Sequence, residues 1–80
     1  MALIPTLTVA ENVMFNDLVM NMGHKQFVNY GKIRKDAKEA LARLNVNIDV
    51  RRMCGTLTLA QKQMVLIARA VQSACNFLIL

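Results

Sequence analysis

The chain has eighty residues, with ten Lys and Arg against five Asp and Glu for a net charge of +5, and it is 55% hydrophobic but only 5% aromatic. A chain this short supports one modest core, burying little more than ~60% of the surface it exposes when unfolded, and no uninterrupted apolar run approaches the ~18 residues that a membrane span needs. Met1-Ala2-Leu3-Ile4 lacks the basic flank and long apolar region of a secretory leader, which predicts a cytoplasmic protein.

In chain order, Thr8-Val9-Ala10-Glu11 fits a capping box, and a short helix over residues 9–18 follows with Val9, Val13 and Met14 on its apolar side. Asn16-Asp17 marks its fading end, and Asn21-Met22-Gly23 a connection. Met14, Met20 and Met22 suit irregular core gaps and equally an adaptable binding surface. Residues 24–31 carry no helical stripe and are predicted extended or irregular, with Phe27, Val28 and Tyr30 giving a weak strand character.

Over residues 32–44 the apolar residues Ile33, Ala37, Ala40, Leu41 and Leu44 recur on one face, which predicts a second helix. Asn45 or Asn47 can adopt the left-handed conformation that ends it, and Asp49 can cap a turn over residues 50–53. After the break at Gly55-Thr56, Thr58-Leu59-Ala60-Gln61 is another capping box. It opens a helix over about residues 59–74, apolar round so much of its girth that neighbours are expected to cover it. Cys54 and Cys75, with His24 the sole histidine, match no metal-ligand spacing and are read as reduced thiols.

Leu57-Thr58-Leu59-Ala60-Gln61, continuing through Lys62-Gln63-Met64-Val65-Leu66-Ile67-Ala68-Arg69-Ala70, resembles the signature segment of ABC-transporter ATPases in the monosaccharide-importer (ribose/galactose-type) branch. That signature is usually LSGGQ, and this branch carries degenerate forms before a "QMVEIAKAL"-like helix. The resemblance covers nearly the whole chain. Residues 2–12 are similar to the "LxPxLTVAEN" run after the Q-loop, Asn47-Ile48-Asp49 resembles the "IDP" element, and residues 76–80 resemble the start of the Walker B strand. Leu66 departs from the family's usual glutamate, and Lys62 stands in a stretch that is often glutamine-rich.

The resemblance implies a mainly α fold: a small helical bundle, the α-helical subdomain of a larger ATPase, spanning residues 1–80 as one unit with a short C-terminal strand at 76–80. It implies that Thr58 donates a hydroxyl, and that Leu59, Ala60 and Gln61 frame the γ-phosphate of an ATP held on a second ATPase unit. The implied partners are that second unit and a transmembrane permease subunit, the latter received by a groove around residues 3–14 and placing the parent at the inner face of the membrane. ATP and Mg would belong to the parent. The chain has no G-x-x-x-x-G-K-[ST] phosphate loop, and Gly23, Gly31 and Gly55 stand singly, so the fragment is expected neither to bind nucleotide tightly nor to hydrolyse it. Its exposed ends are expected to promote self-association.

Two plainer readings stand beside this one. A threonine three residues before a glutamine also opens ordinary capped helices. The basic residues Lys32, Arg34, Lys35, Lys38, Arg43, Arg51 and Arg52 invite a small protein- or nucleic-acid-binding domain. Asp36 and Glu39 interrupt that run, however, and a solvated face of mixed charge accounts for it better than nucleic acid does. A free-standing enzyme lacks parts, since no metal cluster or paired nucleophile and base can be assembled.

Overall fold

A computed structural model describes residues 3–23 and 29–78. Helix α1 (Val9–Val13) starts where predicted: Thr8 Oγ1 accepts from Glu11 N–H at 3.2 Å while Glu11 Oε1 accepts from Thr8 N–H at 3.0 Å. The expected single helix over 9–18 is instead two. Met14, at φ −99° and ψ 26°, ends α1, and α2 (Phe15–Gly23) begins at once. Asn16 and Asp17 therefore open a helix rather than close one, and Asp17 places its charge near the positive end of the α2 dipole.

Helix α3 (Tyr30–Arg43) starts two residues earlier than its apolar stripe suggested, because Asn29 Oδ1 accepts from Lys32 N–H at 3.1 Å and caps it. Tyr30 is helical, not strand-like; Phe27, Val28 and His24 lie outside the described residues. The helix ends in a Schellman motif, with Val46 N–H reaching Leu41 O, Asn45 N–H reaching Ala42 O, and Asn45 at φ 57°. Asparagine tolerates that left-handed geometry better than most residues, and of the two candidates Asn45 is the one used.

Asp49 Oδ1 accepts from Arg51 N–H at 2.9 Å, giving the expected turn, and a 3-10 turn (Cys54–Thr56) leads into α4 (Leu59–Leu78). The extended segment expected at residues 76–80 is corrected over 76–78, which close α4; Ile79 and Leu80 lie outside the described residues. A strand needs a neighbour to take its N–H and C=O groups, and the described residues form no sheet, so the helix satisfies them within itself.

The core gathers Val9, Val13 and Met14 of α1 and its cap, Ile33, Ala37 and Leu41 of α3, and Val65 and Ala68 of α4. The stripe predicted for α3 is the buried one. Helix α1 packs against both α3 and α4. Helix α2 reaches α4 through Asn16 Nδ2, which donates to Ser73 Oγ at 2.6 Å, and through Phe15, whose ring lies 4.9 Å under the Arg69 guanidinium carbon.

Candidate functional site

Helix α4 begins at the end of a chain segment pinned from both sides. Cys54 and Leu57 are buried, and the residues between them form a tight turn closed by Leu57 N–H on Cys54 O. Upstream, the backbone pairs with the N-terminal segment: Val9 N–H to Arg52 O, Ala10 N–H to Val50 O, Cys54 N–H to Leu7 O and Gly55 N–H to Pro5 O, all at 2.9–3.1 Å. At Gly55 the approach is so close that an added Cβ would stand 3.2 Å from Pro5 O and 3.3 Å from Pro5 Cβ. Glycine is thus favoured by contact, and the tip of α4 sits on a backbone platform that neither periodicity nor propensity could reveal.

On that platform the capping box of α4 forms as its sequence predicts. Gln61 N–H donates to Thr58 Oγ1 at 3.2 Å, and Thr58 N–H to Gln61 Oε1 at 3.0 Å. Lys62 N–H, at 2.9 Å from Thr58 O, makes the first turn's bond. The N–H groups of Leu59 and Ala60 have no intrahelical acceptor, and both residues are exposed, Leu59 to 73%. Thr58 is exposed as well, and Gln61 half-buried. The four residues predicted for the site therefore do stand together at one helix end, with Thr58 and Gln61 spent largely on each other.

Two cations join them. Arg52 donates through one guanidinium nitrogen to Thr56 O at 2.8 Å, holding its charge beside the turn. Lys62 lies in the first turn, close enough to Cys54 to oppose its shift: burial pushes the Cys54 thiol above its ordinary value, and the Lys62 ammonium draws it down in part. No acidic residue occupies the first turn of α4. Free N–H groups, the positive end of a twenty-residue helix and two cations make this end receptive to an anion. In the sequence Arg52 reads only as one of the basic residues and Lys62 only as a departure from the family's pattern, because their place here comes from the turn that brings them to the tip.

The other predicted surface is largely internal. Within residues 3–14, Val9, Ala10, Asn12, Val13 and Met14 are all buried. Of the stretch expected to form a docking groove, only the exposed Pro5 and Thr6 and the half-buried Leu3, Ile4, Leu7, Thr8 and Glu11 reach the surface. Met14 is core; the side chains of Met20 and Met22 lie outside the described residues. Cys54 is a free thiol. Among the described residues no group of acidic, His or Cys side chains could hold a metal ion, and no helix is long and apolar enough to cross a membrane.

No protein-family model matches the chain, and no solved structure matches it. Curated proteins do. It is 40% identical over 78 residues to a ribose import ATP-binding protein, RbsA, of Corynebacterium glutamicum, covering 98% of the chain and 14% of that relative. The RbsA protein of Geobacillus kaustophilus is 36% identical over 77 residues, covering 96% of the chain and 15% of the relative. That of Chelativorans sp. is 37% identical over 79 residues, covering 99% and 14%. Over nearly its full length the chain is thus homologous to one segment of the ribose import ATP-binding proteins, and it spans 14–15% of the length of those relatives.

Proposed function

We propose that the chain is the helical signature-motif subdomain of an ATP-binding subunit in an ABC importer of monosaccharides, and that its task is to couple ATP binding to a membrane permease. The observation that carries this reading is the exposed start of α4. Leu59 and Ala60 present free N–H groups there, in a chain matched from end to end by ribose import ATP-binding proteins. In the parent, Thr58, Leu59, Ala60 and Gln61 would close on the γ-phosphate of an ATP held by the second ATPase unit. Leu59 and Ala60 would supply backbone donors, Thr58 its hydroxyl proton, and Gln61 the amide nitrogen left over from the capping box.

This chain's residues suit the phosphate but not the metal. The donor set at α4 is N–H, hydroxyl and ammonium, and no metal-holding cluster exists among the described residues. Mg would therefore be held on the opposite unit with the nucleotide. The permease would meet the outward residues among 3–8, which the backbone bonds from residues 50–55 hold in place, and would keep the parent at the inner face of the membrane.

The test is to read the source DNA on either side of the eighty codons. A phosphate loop and Q-loop glutamine upstream, with Asp-Glu-Pro-Thr directly after Leu80, is the expected result. Stop codons at both ends would overturn the reading. Calorimetry adds a second check: the isolated chain should show no submicromolar affinity for Mg-ATP.

A further inference from the structure

Beyond the α4 end, one surface combines concavity with an excess of positive charge. Between α3 and the turn after residue 46 lies an open groove of about 520 Å³ whose rim carries Arg34, Lys35, Lys38 and Arg51. All four are exposed, and none makes an ion pair among the described residues. Against these four cations the groove holds one carboxylate, Asp49, and the hollow beside it holds Glu11, so positive charge is in excess. Glu11 accepts from Thr8 N–H and Thr8 Oγ1, Asp49 accepts from Arg51 N–H, and Asp36 pairs with Lys32 at 3.7 Å. Ile48 and Val50 line the same groove and give it an apolar floor.

A second concavity of about 310 Å³ adjoins it, sharing Arg34 and Arg51. The two cations thus border both hollows, which together form a trough.

We propose that this trough binds an acidic peptide segment of a partner protein in extended form, its carboxylates on Arg34 and Arg51 and an apolar side chain on Ile48 and Val50. Alternate side chains of an extended chain point to opposite sides, so carboxylates and an aliphatic anchor can be served together. Guanidinium groups bind carboxylates through two parallel hydrogen bonds. A flat bilayer surface cannot reach an apolar floor recessed behind its cationic rim, and nucleic acid has no aliphatic side chain to place there. None of Thr58, Leu59, Ala60 and Gln61 lines either hollow, and the proposal does not rest on the ATPase reading.

The test is fluorescence anisotropy on the eighty-residue chain with a fluorescein-labelled decapeptide of alternating glutamate and leucine. Comparison probes are the same peptide with lysine for glutamate, a ten-nucleotide single-stranded DNA, and vesicles containing phosphatidylglycerol. Saturable binding of the acidic peptide is expected, weakened at least tenfold by Arg34→Gln with Arg51→Gln. The exposed control Arg43→Gln should change affinity less than twofold, with helical circular dichroism unchanged throughout. Lys35→Gln with Lys38→Gln serves as a second variant and should also weaken binding. Equal binding by the trough variants and wild type would overturn the proposal, as would a matching loss in Arg43→Gln. Tighter binding of DNA or vesicles than of the acidic peptide would overturn it too.

Discussion

Asn12 is fully buried, yet every polar atom of its side chain is bonded. Its Oδ1 accepts from Ile4 N–H at 2.8 Å, and its Nδ2 donates to Ile4 O at 3.0 Å and Thr8 O at 2.9 Å. The side chain ties the N-terminal segment to α1, and removing it would take the acceptor from Ile4 N–H, while Ile4 O would keep its bond from Leu7 N–H. Asn12→Ala should therefore destabilise the chain by roughly 1–2 kcal/mol in urea unfolding, the range for lost hydrogen bonds that leave one donor without its acceptor. Gly55→Ala should cost about 1 kcal/mol by the same measurement, since backbone at Pro5 blocks the new methyl and cannot move as a side-chain tip could. The Cys54 thiol gives a pH-dependent counterpart. Burial raises its folded pKa above the unfolded value of roughly 8.5, and Lys62 only partly offsets this. The folded state thus holds the proton longer: the contribution is fully present below the unfolded value and is lost as pH climbs from there through the raised folded value. Urea midpoints should fall as pH rises above about 8.5, and the fall should be smaller in Cys54→Ala.

At the scale of elements, the legible features were those written in a few consecutive residues. Thr8 with Glu11, Thr58 with Gln61, the α3 stripe and the left-handed Asn45 all act within one or two helical turns, so their spacing carries the geometry. The misses depend on distant partners. Nothing local announces the break at Met14, because the neighbouring Asn12 bonds back to Ile4 and Thr8 rather than facing solvent. The pairing of Thr8 with Met53, and of Gly55 with Pro5, joins segments more than forty residues apart. The candidate site shows the same division: its four residues were readable as a capped helix start, whereas Lys62, Arg52 and the platform beneath them were not. The cap itself can be tested. Thr58→Ala removes the acceptor for Gln61 N–H and should cost about 1 kcal/mol of thermal or urea stability, while Thr58→Ser should retain most of it.

The whole molecule leaves one helix unevenly covered. Val65 and Ala68 of α4 are fully buried, but Leu59, Ile67 and Val71 stand 73%, 46% and 42% exposed. Ile67 and Val71, four residues apart, share a face of the helix, and Ala60 and Ala74 are exposed on the same side. That face carries no charge to keep copies apart, and the cations on α3 lie elsewhere. The girth of apolar residues read in the sequence is therefore only partly absorbed by α1 and α3, and the remainder is surface that a further body of protein would cover. In the eighty-residue chain alone the body at hand is another copy. Sedimentation velocity over a hundredfold concentration range should show the weight-average mass rising, and Ile67→Glu with Val71→Glu should hold the chain monomeric. The same double substitution should cost less stability than a change at the fully buried Val65 or Ala68, because both positions are partly exposed. A monomer at every concentration would show that this face is not adhesive by itself.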